Sequence, residues 1–197
     1  LVERSGEIVD DSTQQDLFSP PPRRPSGFEY RENVISTAEE AELVARFCEI
    51  EFTPFEFRGF LGKRRVASFG WKYDFNRARL DPAPSPPDFL IALRRRIAVF
   101  ENDAGLFDQV SIAEYTPGAG IGWHRDKPQF GEVTGLSLLG HCRFRMRLST
   151  EDSWMRSSPC ISPRSVYRLT GPARWEWEHS IPPVETLRYS ITFRRLA

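Results

Sequence analysis

His124-Arg125-Asp126 and His179 are the residues of this chain whose types and spacing could do metal chemistry. Side chains alternate along an extended strand, so the two ends of an H-x-D pair point to one face. A distant histidine can then close a facial triad. Two imidazoles and one carboxylate suit Fe(II) and leave positions open for a bidentate co-substrate and for O2. The second chemical feature is R-x-S-x-T-x-R near the end of the chain. Arg188, Ser190, Thr192 and Arg194 share one face of a strand, and Tyr189, Ile191 and Phe193 share the other. On an edge strand these arginines would simply be solvated. Pressed against a core, they form a clamp that holds a carboxylate by charge-assisted hydrogen bonds. Such a stretch spans about 20 Å, which places Arg188 at the distal carboxylate of a diacid and Arg194 nearer the metal end. The third histidine, His141, adjoins Cys142 but lacks the four-ligand spacing of a structural zinc site.

The elements that must position these groups fall into two kinds. Ser36-Thr37-Ala38-Glu39 has capping-box spacing, and Ala41, Leu43, Val44 and Phe47 recur at helical intervals behind it, predicting a helix over 37–49. A short strand through Phe28 and Tyr30 precedes it. From 52 to 75 the chain is aromatic, β-prone and punctuated by glycine, which predicts hairpins. A proline-rich connector and a second helix over 87–100 follow. Beyond Asp103 the pattern is strands and turns, with strands expected over 110–115, 142–148, 165–169 and 188–193. Trp175 and Trp177 alternate with polar neighbours, so His179 is expected to share their strand face. Helices first and strands later give an α+β fold around a β-sandwich or barrel. The expected organisation is a flexible arm over 1–26, an N-terminal extension with helices over 27–102 and a β core over 103–197, forming a single domain.

Formal net charge is zero over 197 residues, so no global field advertises a polyanionic partner. Local basic clusters remain at Lys63-Arg64-Arg65, Arg94-Arg95-Arg96 and the alternating Arg143, Arg145 and Arg147. The three cysteines, Cys48, Cys142 and Cys160, have no C-x-x-C spacing, which points to reduced thiols and a cytoplasmic setting. No apolar run approaches a membrane span and no signal pattern opens the chain, although it begins with Leu1 rather than methionine.

Taken together, the run Tyr115 to His124, the pair His124 and Asp126, the stretch Leu169-Thr170-Gly171-Pro172-Ala173-Arg174 leading to His179, and R-x-S-x-T-x-R resemble the AlkB-type family of Fe(II)- and 2-oxoglutarate-dependent dioxygenases. The resemblance implies a double-stranded β-helix, or jelly roll, with an N-terminal nucleotide-recognition lid. It implies iron at His124, Asp126 and His179, with O2 as oxidant and 2-oxoglutarate among Tyr115, Arg188, Ser190, Thr192 and Arg194. In the lid, Trp71 and Tyr73 would stack on a target base while Lys72 and Arg65 hold phosphates. The implied activity is oxidative demethylation of alkylated bases in single-stranded DNA or RNA by a monomer, releasing formaldehyde, succinate and CO2. Departures bear on the substrate. Ser190 replaces an asparagine of the family's DNA-repair branch, Ala113 replaces another, and Pro128 stands where that branch has an acidic base-reading residue. The alternative is a protein side-chain hydroxylase or lysine demethylase using the same chemistry.

Overall fold

A computed structural model describes residues 24–57, 59–100 and 107–197; most of the expected arm over 1–26 lies outside them. The first half contains β1 (Phe28–Arg31), α1 (Thr37–Arg46), β2 (Thr53–Phe57), β3 (Phe60–Phe69), β4 (Trp71–Asp74), β5 (Arg79–Pro82) and α2 (Asp88–Phe100). The second half continues with β6 (Gln109–Tyr115), β7 (Ile121–His124), β8 (Phe130–Leu138), β9 (Cys142–Arg143), β10 (Arg145–Ser149), β11 (Trp154–Ser157), β12 (Cys160–Ile161) and β13 (Ser165–Leu169). It closes with α3 (Gly171–Trp175), β14 (Glu178–Ile181) and β15 (Arg188–Leu196).

Two antiparallel sheets make the jelly roll. The larger has the order β1-β13-β8-β15-β6-β3-β2 and the smaller β11-β10-β14-β7. Strands β1, β2 and β3, from the N-terminal extension, add to the larger sheet, while β4 and β5 form a hairpin of their own.

Helix α1 begins where its sequence requires. Ser36 Oγ accepts from the backbone N–H of Glu39, and the Glu39 carboxylate accepts from the Ser36 backbone N–H, so two otherwise orphaned donors are satisfied. The helix also carries a buried acid. Glu40 accepts from the Leu139 backbone N–H at 2.8 Å and from Arg164 at 3.0 Å, pinning the helix to the turn after β8.

The two helices explain which way β15 faces. Leu90, Leu93 and Ile97 of α2, with Phe47 at the end of α1, pack with Val110, Ile112, Leu136, Leu138, Tyr189, Ile191 and Phe193 in one core cluster. That cluster consumes the outer face of the larger sheet. By strand alternation, Arg188, Ser190, Thr192 and Arg194 must then look inward, toward the smaller sheet. Their strand is also central, paired with β6 on one side and β8 on the other. The edge-strand reading of these arginines therefore falls. The inner cluster of Phe28, Tyr115, Val133, Phe144, Met146, Tyr167, Leu169, Trp177 and Ile181 fills the space between the sheets around them.

Gly70 turns the chain from β3 into the β4–β5 hairpin. It sits at φ +75°, and a Cβ there would lie 2.1 Å from the Asp108 carbonyl oxygen. Only glycine fits that approach. Among the described residues no helix is long and apolar enough to cross a membrane, and the three cysteines are unbridged.

Candidate active site

Strands β7 and β14 of the smaller sheet bring the two histidines together. His124 and His179 are directly paired across the ladder, with ring centroids 4.2 Å apart. Phe144 stacks on His179 at 5.1 Å and closes the apolar side. Asp126 lies two residues beyond His124, past the end of β7 rather than within it, and still reaches the same cluster. Its Oδ2 is 3.8 Å from His179 Nε2, and its Oδ1 accepts from Arg194 Nη2 at 3.1 Å.

Electrostatics fix the ionisation states that a metal would need. Burial pushes the His179 imidazole down to about 3, helped by its neighbour His124, and burial lowers His124 as well. Both rings are therefore neutral, the form that ligates a metal. Burial alone would raise the Asp126 carboxyl, but Arg194, and then the two imidazoles once acid protonates them, hold it well below the usual range. His124 Nδ1 lies 2.9 Å from the Gly122 carbonyl oxygen, which orients the ring and leaves Nε2 available. Among the described residues no trio of His, Cys, Asp and Glu side chains stands as a closed metal cage, and Asp126 Oδ1 is engaged by Arg194. The donor set, two neutral imidazoles beside an ionised carboxylate, nonetheless fits Fe(II).

The clamp residues line the neighbouring interior. Arg188 is fully buried and stands opposite Tyr115 in the ladder. Its guanidinium lies over the Tyr115 ring at 5.1 Å and donates through Nε to Ser137 Oγ at 3.1 Å. Nη1 and Nη2 have no hydrogen-bond partner among the described residues. Two parallel unsatisfied donors on a buried cation are the complement of a carboxylate. Arg194, at the other end, donates to Asp126, Thr192 Oγ1 and Gln109 Oε1. Ser190 is buried between them, flanked in register by the small side chains Ala113 and Ser137. Tyr167 leans into the same region. A Cβ on Gly135 would come within 2.3 Å of its ring, so glycine on β8 is what lets this ring cross the strand.

The residues expected around a substrate are divided by the structure. Tyr73 packs edge-on against Phe75 at 5.1 Å, with Lys127 Nζ 5.2 Å from its ring, so it stands beside the segment that carries Asp126. Trp71 shares its face of β4, and its backbone carbonyl accepts from Gln109. Lys72 points the other way and is exposed. Arg65 pairs with Glu114 through two hydrogen bonds of 2.8 Å on the face of the sheet away from the histidines. Its neighbour Arg64 faces inward instead, buried and stacked over Phe55 at 3.8 Å, with a hydrogen bond to Tyr115.

Two further residues carry weight. Trp175 ends the short helix α3 and is exposed, whereas Trp177 is buried just before β14. His179 therefore does not share a strand face with both of them. Pro172 at the start of that helix, after Thr170, is the signal that could have revealed it. Arg174, in the same helix, is 3% exposed. It donates to the backbone carbonyls of Gly131 at 2.6 Å, Lys127 at 2.8 Å, Asp126 at 3.3 Å and Phe130, fixing the 126–131 segment from behind. An Arg174→Met variant is expected to lose about 3 kcal/mol of stability, since several buried carbonyls lose their donor. Urea unfolding measures this, and an unchanged midpoint would show that the segment holds itself.

A family model described as the 2OG-Fe(II) oxygenase superfamily matches residues 27–194. The chain is 30% identical over 175 residues to the alkylated DNA repair protein ALKBH8 homolog of Arabidopsis thaliana, covering 75% of this chain and 48% of that protein. It is 27% identical over 177 residues to the mouse tRNA (carboxymethyluridine(34)-5-O)-methyltransferase ALKBH8, covering 86% of this chain and 26% of that protein. The chain thus spans about half or less of these two relatives. Among solved structures, OsALKBH1 superposes with a TM-score of 0.68 at 16% identity, covering 86% of this chain and 96% of that one. A Pseudomonas putida prolyl-4-hydroxylase superposes at 0.55 and 19% identity, covering 87% and 94%. Both likenesses speak to the fold.

Proposed function

Because the chain belongs to the 2OG-Fe(II) oxygenase superfamily, we propose that it oxidatively demethylates alkylated bases in single-stranded DNA or RNA. The family's requirements are Fe(II), O2 and 2-oxoglutarate as co-substrate. The reading of this site rests most on one observation, the buried Arg188 guanidinium with two unpartnered donors on the same inward face as Arg194, which reaches Asp126.

In this reading His124, Asp126 and His179 hold the iron, which supplies the oxidising chemistry when bound. The chain's own residues do the rest. Arg188 binds the distal carboxylate of the diacid, with Ser190 and Thr192 lining its length. Tyr115 buttresses that guanidinium through its ring. Arg194 holds the Asp126 carboxylate in place and orients the near end of the co-substrate. The inner aromatic cluster of Phe144, Tyr167 and Trp177 keeps bulk water out. Tyr73 and Trp71, on one face of the β4–β5 hairpin, are positioned to meet a base that has left its stack. The base-demethylation reading is supported by the ALKBH8 relatives, whose names refer to alkylated DNA repair and to tRNA modification.

The test is succinate formation by the purified protein with Fe(II), ascorbate and 2-oxoglutarate, with and without methylated single-stranded oligonucleotides. Turnover stimulated by a methylated oligonucleotide over its unmethylated control is the expected result. Turnover indifferent to either nucleic acid would move the substrate to protein side chains.

A further inference from the structure

The alternating arginines of β10 do not serve the interior. Register places Arg145 beside Ser180 and Arg147 beside Glu178, on the face of the smaller sheet opposite Met146 and His179. Trp123, adjacent to His124, shares that outer face. The Arg145 guanidinium lies 5.1 Å from the Trp123 ring, and the Arg147 guanidinium lies 4.3 Å from both Trp123 and Trp154. Beside this ladder is a groove of about 320 Å³, lined by Arg125, Arg147, Ser149, Trp154, Trp175 and Glu178 among others. Trp154 and Trp175 are 40% and 45% exposed. Arg174 backs the Trp175 ring at 4.3 Å.

We propose that this groove is a second nucleic-acid contact, which seats the single strand flanking the nucleotide held at the active site. The inference rests on the nucleic-acid reading above and extends it. Three features select this occupant. Exposed indole faces offer stacking platforms for any base, because every base has a π-face. Arg125, which lines the groove, and Arg156, opposite Arg147 on β11, are exposed and make no hydrogen bond or ion pair among the described residues, so they are available to phosphates. With Arg145 and Arg147 they outnumber the two carboxylates beside them, Glu176 and Glu178, of which Glu178 is already paired with Arg147. A polyanion without flat rings would use the arginines and leave the tryptophans unexplained.

The groove also lies where such a strand must go. Strand β7 is an edge of the smaller sheet, and Arg125 stands between His124 and Asp126 in sequence. A chain leaving the interior at these two residues crosses the sheet edge at Arg125. It then runs over β14 and β10 to Trp154 on β11. Three inter-strand steps amount to about 14 Å, which accommodates several nucleotides at a stacked rise of about 3.4 Å.

The experiment titrates the intact protein with fluorescein-labelled dT12 and rU12, following anisotropy and tryptophan quenching at several salt concentrations. Trp154→Ala is expected to weaken binding about tenfold, at the low end of the cost of one lost stack, and Trp154→Phe to restore most of it. Arg156→Gln should reduce the slope of log K against log salt by about one. Both side chains are exposed, and unchanged thermal midpoints check the fold. Oligomers bound equally by parent and variants would overturn the groove while leaving nucleic acid as substrate. No binding of either oligomer to the parent at low salt would overturn the nucleic-acid reading with it. Salt-sensitive binding of polyglutamate as tight as that of the oligomers, and unaffected by Trp154→Ala, would assign the face to an acidic polypeptide instead.

Discussion

An Arg188→Met variant is expected to lose 2-oxoglutarate binding by at least 100-fold, while its ligand-free form unfolds no more easily than the parent. The two halves of this expectation have one cause. In the ligand-free protein Arg188 is fully buried with one neutral hydrogen bond, to Ser137, and an aromatic face at 5.1 Å. Its Nη atoms are unpaired among the described residues. A desolvated cation so incompletely compensated costs several kcal/mol, and an apolar side chain of similar volume removes that cost. A carboxylate on the same guanidinium gains two charge-assisted bonds in a medium that excludes water. The parent should therefore gain about 2.7 kcal/mol of stability at a co-substrate concentration of 100 times Kd, and the variant almost none. Thermal unfolding with and without 2-oxoglutarate, paired with calorimetric titration, reads both. Undiminished binding by the variant would remove Arg188 from the clamp. A ligand-free variant that melts far below the parent would show that the arginine is needed structurally.

The second large effect separates two ligand substitutions that activity alone would not distinguish. His179→Ala and Asp126→Ala are each expected to reduce Mn(II) or Fe(II) affinity by more than 100-fold and to abolish succinate formation, because even outer partners of metal ligands contribute 10- to 100-fold. Asp126→Ala should also destabilise the metal-free protein, by about 2 kcal/mol, because it leaves the part-buried Arg194 guanidinium without its charged partner. Asp126 has a depressed carboxyl, so its contribution is present above the ordinary value of 3.8 and is lost only as pH falls toward the lower folded value. Melting curves of the two variants near pH 7 and in acid check this. Equal stability of both would mean that the Asp126–Arg194 pair contributes nothing to the fold.

Much of the architecture was legible because it rests on local physics. The capping box at Ser36 and Glu39 and the polar and apolar faces of β15 each state a geometry within a few residues. What escaped required long-range information. Arg64 and Arg65 are adjacent, and which one faces the histidines depends on the pairing of β3 with β6, which puts Arg65 opposite Glu114. A one-residue change of register would exchange them. The inward aim of β15 likewise depends on the helices, which cover Tyr189, Ile191 and Phe193. Helix α3 is only five residues long, too short for any periodic signal, and its aromatic, alternating surroundings resemble a strand. Arg174 was invisible as a positioning residue because its partners are backbone carbonyls some 45 positions away, which carry no sequence mark.

Asp126 uses different oxygens for its two neighbours, Oδ1 toward Arg194 and Oδ2 toward His179. Arg194 is in turn held by Thr192 and Gln109. In the proposed function one carboxylate therefore joins the metal's shell to the co-substrate's. Two ligands that share such a bridge are thermodynamically reciprocal. Whatever factor the metal adds to the affinity for the diacid, the diacid must return to the metal, and the order of addition changes the route but not the total.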